Sequence, residues 1–423
     1  MGSPVHSHEH RLFRRFFATL GPGLITGAAD DDPSGISTYS VAGATFGYAP
    51  VWTALFSFPL MAAIQLMCAR LGMVTGLGLA GVIRRRYPPL VLWFACALLG
   101  VANTINIAAD LGGMADATRL VTGIPAPVSV ALYAALLTST LVWTSYRVIA
   151  RIFKWLTLVL GAYIVTAFVA KVDWTTALWS TLVPRVEFTR GFFAVLVGVF
   201  GTTISRFLFF WQAAQEVEEE RKMGRNFHQR QGATAAELRN CRTDVITGMF
   251  ASNIVMYFII LTTAATLHAR GLTNIATARD AAEALRPLAG AGAYWLFTVG
   301  IIGTGMLAVP VLAGSCAYAI AEAARWRHGS LASPPRRARK FYGVMVVAMI
   351  LGMALDYAGF DAIRLLFVTA VINGVLAPPL VLLIVLLTSN REVMGPAINS
   401  RWLTGLGWTT CIAMTAAALG LLL

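Results

Sequence analysis

Long apolar segments, each near the roughly 20 residues that cross a bilayer as a helix, follow one another along most of this chain. Short polar connectors rich in arginine separate them. The pattern predicts eleven transmembrane helices near residues 13–44, 49–68, 90–115, 126–145, 150–170, 191–214, 243–267, 292–323, 341–355, 362–388 and 403–423. No connector is long enough for a separate soluble domain. We therefore expect an all-α polytopic membrane protein with a cytoplasmic tail (1–12) and a single transmembrane domain (13–423).

The first apolar segment is interrupted by three consecutive carboxylates, Asp30, Asp31 and Asp32, followed by Pro33 and then Gly35. A carboxylate at bilayer depth costs about 2.5–3.5 kcal/mol on insertion scales, and it is retained where it lines a cavity or a binding site. Proline cannot donate a backbone hydrogen bond and glycine weakens a helix, so nearby carbonyl groups should lack partners. Free carbonyls beside carboxylates suit a hard cation. The alternative is a juxtamembrane loop between two shorter helices.

The sixth segment carries a second polar interruption, in which small and polar residues cluster at the middle of an apolar run. These residues are Gly198, Gly201, Thr202, Thr203, Ser205 and Arg206. Two interrupted spans lying five segments apart are typical of inverted-repeat transporters, which bind substrate between the two breaks. We predict a LeuT-like inverted 5+5 repeat (13–170 and 191–388) plus one added helix (403–423), with helices 1 and 6 broken. Alternatively, segment six is a continuous helix whose small residues allow close packing.

The composition excludes an ordinary soluble protein, because 57% of the 423 residues are hydrophobic, 13% are charged and the mean hydropathy is +0.69. The net charge of +13 does not indicate nucleic-acid binding, since the basic residues lie in short loops between spans. Of the 33 lysines and arginines, 24 fall in one alternate set of loops and 8 in the other. This bias predicts a cytoplasmic amino terminus and an external carboxyl terminus. The expected partners are the bilayer and the substrate, with no obligate protein partner.

Two motifs give the chain a family resemblance. Gly21-Pro-Gly with Asp32-Pro-Ser-Gly in segment one, and Gly201-Thr-Thr-Ile-Ser in segment six, resemble the NRAMP family of divalent-metal transporters over all eleven spans. The resemblance implies that Asp32 is the metal-binding aspartate. It also implies that the backbone carbonyls of Ala29 and Thr202 ligate the metal.

Among the departures of this chain from the family pattern, four change the residue type at positions that matter for the metal site. Gly35 stands in place of the family's asparagine, Ser205 of its methionine, Arg206 of its proline and Phe207 of its histidine. Loss of the methionine thioether removes a soft ligand, and loss of the asparagine leaves room for an ion that keeps several waters. The sequences of the two motifs resemble the NRAMP-related branch associated with magnesium more than the manganese and iron carriers. We therefore expect transport of a hard divalent cation, magnesium first and manganese second, by alternating access through a site at mid-membrane. The expected ligands of that site include Gly35 and Ser205.

Arg206 is the largest departure, because a guanidinium inside a span needs a partner or water. One hypothesis is that it pairs with Asp30, Asp31 or Asp32 and competes with the cation. Another is that it points away and pairs elsewhere, for instance with Asp110. Three acids beside one arginine still leave a net negative site, which favours cation transport.

Further polar residues within the spans are candidate pathway groups. Asn103, Asn106 and Asp110 share one face of segment three and predict either a hydrated path or interhelical hydrogen bonds. Asp110 matches a glutamate position of the family, but its companion acid and the histidine are missing, so the sequence does not support proton coupling. Asn373 in segment ten is a further candidate, because Gly374 and two prolines can bend that helix.

Three other functions agree less well with the sequence than cation transport does. A cation-coupled symporter of a small organic solute has the same architecture, but Asp30 to Asp32 would repel a substrate carboxylate. A degenerate, non-transporting homologue follows from Arg206. An intramembrane aspartyl protease could use Asp32 and Asp110, but the surrounding residues give no protease-like pattern. We expect no enzyme activity, no resident cofactor, since the cation is cargo, and location in a bacterial inner membrane.

Overall fold

The computed structural model describes residues 21–143, 158–225, 228–229, 231–275, 277–326 and 328–423. The predicted cytoplasmic tail (1–12) lies outside these residues. The α-helices in these ranges are α1 (Pro22–Asp30), α2 (Pro33–Phe46), α3 (Trp52–Thr75), α4 (Leu79–Arg86), α5 (Pro89–Thr122), α6 (Ala126–Trp143), α7 (Gly161–Val169), α8 (Trp174–Leu182), α9 (Arg190–Thr203), α10 (Arg206–Lys222), α11 (Ala235–Thr266), α12 (Ala278–Ala282), α13 (Arg286–Ala289), α14 (Ala293–Ala323), α15 (Arg339–Asp356), α16 (Ala362–Leu376), α17 (Pro378–Thr388), α18 (Arg391–Met394) and α19 (Arg401–Gly420).

Seven helical stretches in the described part of the chain are long and apolar enough to cross a membrane, or eight when α16 and α17, bent by 42°, count as one span. The stretch Arg190–Lys222, which combines α9 and α10, is one of the seven. The predicted segments 13–44, 150–170 and 341–355 contain α1, α2, α7 and α15, which are too short or carry too many charges to qualify alone. The all-helical, multi-pass architecture is confirmed, and the count of eleven spans stays a prediction.

Helical geometry lapses at both polar interruptions. The backbone leaves the helix at Asp31 and Asp32, and resumes at Pro33, which has no N–H to offer the Ala29 carbonyl. It lapses again at Ile204 and Ser205, the latter in extended conformation, before α10 begins. These are local departures of two residues each. The interpretation of helices 1 and 6 as broken transport helices goes further and stays a prediction.

Glycine contacts bring the interrupted helices close to their neighbours. A Cβ atom at Gly27 would collide with the backbone of Gly248, so α1 and α11 touch backbone to backbone. A Cβ at Gly201 would collide with the Ala370 carbonyl and the Gly374 backbone, so α9 and α16 do the same. Small residues allow this approach between membrane helices. The close-packing role considered for segment six is therefore present at Gly201, three residues before the backbone lapses.

Gly201→Val should lower the melting temperature of the detergent-purified protein strongly. The added side chain has only backbone atoms to displace, and overpacking a tight contact costs about 1–3 kcal/mol or more. Gly100→Ala is the control, because a Cβ there meets nothing within 4 Å. Equal melting temperatures for the two variants would show that α9 and α16 are not held by this contact.

Candidate functional site

Asp32 caps the amino terminus of α2 with its side chain. Its Oδ1 accepts hydrogen bonds from the Ser34 hydroxyl and the Gly35 amide, each at 2.7 Å. Its Oδ2 accepts one from the Asn106 amide at 3.1 Å. The carboxylate is only 3% exposed. Since donors from the helix start and from α5 all point at it, Asp32 is held in one orientation as a buried acceptor.

The two preceding aspartates share a single donor. The Ser252 hydroxyl, on α11, lies 3.0 Å from an Asp30 oxygen and 2.9 Å from an Asp31 oxygen. A hydroxyl carries one hydrogen and can donate to only one of them at a time. The other Asp30 oxygen has no hydrogen-bond partner among the described residues, although Ser205 lies beside that carboxyl. Negative charge at this interruption is therefore only partly matched by protein donors.

Asp110 adds a fourth buried carboxyl beside Asp32. It is fully buried, and neither of its oxygens accepts a hydrogen bond within the described structure, although the Ser34 backbone lies nearby. Unpaired buried carboxylates are costly and are normally balanced by a proton or a cation. Asp110 and the three consecutive aspartates together form what we call the acidic centre. Some of its carboxyl oxygens accept no hydrogen bond from the described residues.

The second interruption supplies hydroxyl and carbonyl oxygens. The Ser205 hydroxyl, at the start of α10, donates to the Thr202 carbonyl, and the Thr202 hydroxyl donates back into α9. Tyr39, on α2, faces Thr202 and the three aspartates, and its own hydroxyl has no hydrogen-bond partner among the described residues. Tyr39 thus lies between the two interruptions, and nothing in its sequence neighbourhood marks it as a site residue.

The predicted ligand set is arranged around these two interruptions. Asp32 and Gly35 share the cap of α2, while Thr202 and Ser205 share the turn before α10. Ala29 is buried and lacks its helical donor because residue 33 is proline. In the described ranges, no three His, Cys, Asp or Glu side chains converge in a way that could hold a metal ion. A cation at this centre would therefore need carbonyl and hydroxyl oxygens beside its carboxylates.

Arg206 bonds to an asparagine rather than to an acid. Its Nη1 donates to the Asn373 carbonyl at 3.1 Å and its Nη2 to the Asn373 side-chain oxygen. In the part of the chain that the structure describes, it forms no ion pair with Asp30, Asp31, Asp32 or Asp110. It pairs elsewhere, as the second hypothesis holds, but with Asn373 in place of Asp110. The close approach of α9 and α16 at Gly201 explains this, because it places Asn373 next to the start of α10.

The two asparagines of segment three have different roles. Asn106 bonds to Asp32 and accepts from Asn373, so it belongs to the acidic centre. Asn103 donates to the Leu312 carbonyl and the Ser315 hydroxyl of α14. Its contacts are the interhelical hydrogen bonds that the sequence analysis kept as one of two interpretations.

Asp244 is a further residue that sequence reasoning missed. It lies on α11 and accepts backbone hydrogen bonds from Gly21, Gly23 and Leu24 at 2.8, 2.7 and 3.3 Å, which caps the start of α1. It is more than 200 residues distant in sequence, so no local pattern could reveal it. Ser252 was equally hidden, although the polar pair Ser252 and Asn253 inside segment seven was a weak signal.

Asp244→Ala should destabilise the protein by about 1–2 kcal/mol, since it removes the acceptor of three amide groups at a buried helix start. A lower melting temperature in detergent would report the loss. Asp173→Ala is the control, because Asp173 caps α8 where it is exposed, and hydrogen bonds from Thr176 hold its pKa below the usual range. Water can replace part of that cap, so the control should lower the melting temperature less than Asp244→Ala does.

Two cavities are lined by residues outside the acidic centre. One, of about 460 Å³, is lined by Phe46, Tyr48, Thr176, Arg185 and His268 among others. The other, of about 200 Å³, lies between α4, α10 and α14 and is lined by Glu218, Arg221, Tyr318 and Glu322 among others. No residue of either interruption lines them. The buried aspartates of the first interruption therefore line neither cavity.

Comparison with known proteins gives one consistent result. The family described as natural resistance-associated macrophage protein-like matches residues 23–423. A relative from Deinococcus radiodurans, the divalent metal cation transporter MntH, is 26% identical over 96% of this chain and 89% of its own length. The transporter of the same name from Yersinia pestis is 29% identical over 95% of this chain and 93% of its own.

Solved structures share the fold. A manganese transporter of Eremococcus coleocola superposes with a TM-score of 0.76 at 19% identity, over 97% of this chain and 87% of that one. A nucleobase-cation-symport-1 family transporter superposes with a TM-score of 0.56 at 14% identity, over 95% of this chain and 92% of the other. At these identities the likeness concerns the fold alone.

Proposed function

The chain belongs to the Nramp (natural resistance-associated macrophage protein-like) family, and from that premise we propose that it carries a hard divalent cation across the membrane. Magnesium is the first candidate and manganese the second. The cation binds between the two helix interruptions and crosses by alternating access. It is cargo, so no resident cofactor is needed.

The observation that carries this proposal is the acidic centre built around Asp32. Four buried carboxyl groups lie near one another, and three of their oxygens, one of Asp30 and both of Asp110, have no donor among the residues that the structure describes. Asp32 is oriented by three donors, and the Ser205 hydroxyl of the second interruption lies beside the neighbouring Asp30. Oxygen ligands around a negative centre favour a hard divalent cation.

The residues at positions 35 and 205 support magnesium over softer metals. Neither carries a thioether or an amide side chain, so the proposed ligands Asp32, Ala29, Thr202, Ser205 and Gly35 offer oxygen atoms only. Magnesium favours oxygen ligands and keeps several of its waters, whereas sulfur ligands favour softer metals. Manganese stays second, since the solved structure with the same fold is of a manganese transporter.

Alternating access fits a buried site with two cavities whose lining residues lie outside it. We propose that the cavity beside Tyr48 and the cavity beside Glu322 mark the two routes, neither lined by the acidic centre in this conformation. In this proposal the chain has eleven spans and lies in a bacterial inner membrane. Its amino terminus is cytoplasmic and its carboxyl terminus external, in accord with the distribution of arginines.

Two alternatives are less well supported. An organic-solute symporter shares the fold, but four buried acids would repel a substrate carboxylate. A degenerate homologue was suggested by Arg206, yet that side chain bonds to Asn373 and leaves the carboxylates to a cation.

Uptake into proteoliposomes tests the proposal, with magnesium, manganese, calcium and cadmium offered separately and read by entrapped indicators. We expect protein-dependent uptake of magnesium and manganese, with magnesium taken up better than cadmium. Liposomes without protein are the control for leakage. A folded protein that moves none of the four cations would reject the proposed function.

A further inference from the structure

A line of hydrogen bonds joins Arg206 to Asp32 through two buried amides. Arg206 donates to Asn373 through both of its terminal nitrogens. The Asn373 amide nitrogen donates to the Asn106 oxygen at 3.1 Å, and the Asn106 nitrogen donates to Asp32 Oδ2 at 3.1 Å. All four side chains are at most 3% exposed. They come from α10, α16, α5 and the interruption between α1 and α2, so the line spans both interruptions.

The groups at the two ends of this line determine which atom donates and which accepts in each hydrogen bond. A guanidinium has donors only, so Asn373 must turn its oxygen toward Arg206 and its nitrogen toward Asn106. An ionised carboxylate has acceptors only, so Asn106 must turn its nitrogen toward Asp32. The two requirements agree, and reversing either amide would bring like atoms face to face. The hydrogen-bond network itself therefore assigns both amide orientations.

We propose that Arg206 is a positioning residue for the cation site, acting on the Asp32 carboxylate through Asn373 and Asn106. The inference rests on the proposed function. The guanidinium stays two amide groups away from the carboxylate, so it does not occupy the cation's place. It holds one oxygen of Asp32 toward α5, while the α2 cap holds the other. Movement of α10 against α16 would then change the orientation of Asp32. In this way the second interruption is coupled to Asp32, the cation ligand at the first interruption.

A matched set of variants tests this assignment by calorimetric titration of Mg²⁺ into detergent-purified protein. Arg206→Lys keeps a donor on a stem of similar length, and Arg206→Met keeps the stem without a donor. Asn373→Asp keeps an acceptor for Arg206 but cannot donate to Asn106. We expect Arg206→Met and Asn373→Asp each to weaken Mg²⁺ binding about tenfold, the loss that one buried hydrogen bond to a charged group would give. Arg206→Lys should retain most of the affinity.

The control is Asn103→Ala, since Asn103 lies on the same helix as Asn106 but, within the described ranges, its amide donates to α14. It should lower the melting temperature and leave Mg²⁺ affinity unchanged. A purely structural role for Arg206 would give the same pattern in Arg206→Met, and unchanged affinity there would overturn the assignment. Stronger binding in Arg206→Met would overturn it in favour of direct competition with the cation.

A metal-free measurement separates this inference from the proposed function. Thermal unfolding of Arg206→Met, Asn106→Leu and the double variant forms a double-mutant cycle in the absence of divalent ions. We expect the double variant to lose clearly less stability than the two single losses added together, because either change breaks the same line. Additive losses would reject the line of hydrogen bonds. Coupled losses with no Mg²⁺ or Mn²⁺ binding by wild type would keep the line but reject the proposed function.

Discussion

Asp32→Ala is expected to abolish uptake of magnesium and manganese into proteoliposomes, while the protein still reaches its folded state. The change removes the one carboxylate that is oriented by the α2 cap and by Asn106 at the same time. It also removes a helix cap, which costs about 1 kcal/mol and lowers the melting temperature modestly. Uptake should fall to the level of protein-free liposomes.

Asp32→Asn separates the charge from the cap. Asparagine can still accept from the Ser34 hydroxyl and the Gly35 amide, so the start of α2 should stay formed, although its NH2 group then faces the Asn106 NH2 group and that hydrogen bond is lost. Because the negative charge is lost, uptake should be abolished in this variant too, with a smaller change in melting temperature than in Asp32→Ala. Wild-type uptake by Asp32→Asn would mean that the transported ion is held elsewhere, with Asp110 the next candidate.

Gly35→Asn combined with Ser205→Met is expected to shift cation preference from magnesium toward manganese and cadmium. The two changes add an amide oxygen and a thioether at positions flanking the acidic centre, and a thioether favours softer metals. A Cβ at residue 35 would lie 3.3 Å from the Tyr39 ring, so that ring must move slightly to admit asparagine. Competition between magnesium and cadmium for uptake measures the shift.

The control for this double variant is Gly35→Ala with Ser205→Leu. It adds similar bulk at both positions without any new ligand atom. We expect its uptake to fall without a change in the order of preference. If both double variants show the wild-type order, positions 35 and 205 do not contact the ion.

Hydropathy alone predicted the helical, multi-pass architecture, because alternation between apolar spans and arginine-rich loops is a property of the sequence itself. The polar interruption at Asp30 to Gly35 was equally visible in the sequence. Three carboxylates are costly inside an apolar span, and proline cannot donate the next helical hydrogen bond. The sequence did not reveal which distant residues hydrogen-bond to this part of the chain. Ser252 and Asp244 lie more than 200 residues away from the aspartates and glycines that they contact.

Arg206 shows that the sequence can predict that a buried charge needs a polar partner without predicting which residue that partner is. Its charge required a polar partner inside the span, and an acid was the natural expectation. The partner is instead Asn373, brought within reach because glycines at 201 and 374 let two helix backbones touch. Both glycines were visible in the sequence, but their contact depends on the packing of α9 against α16.

Anomalous diffraction from crystals soaked in Mn²⁺ tests most directly whether a divalent cation binds between the two interruptions. The manganese ion scatters anomalously and can be located without assuming its ligands. We predict a peak within coordination distance of an Asp32 carboxylate oxygen, with carbonyl oxygens of Ala29 or Thr202 completing its contacts. A single strong peak in the cavity beside Glu218 and Glu322, with none at Asp32, would contradict the account.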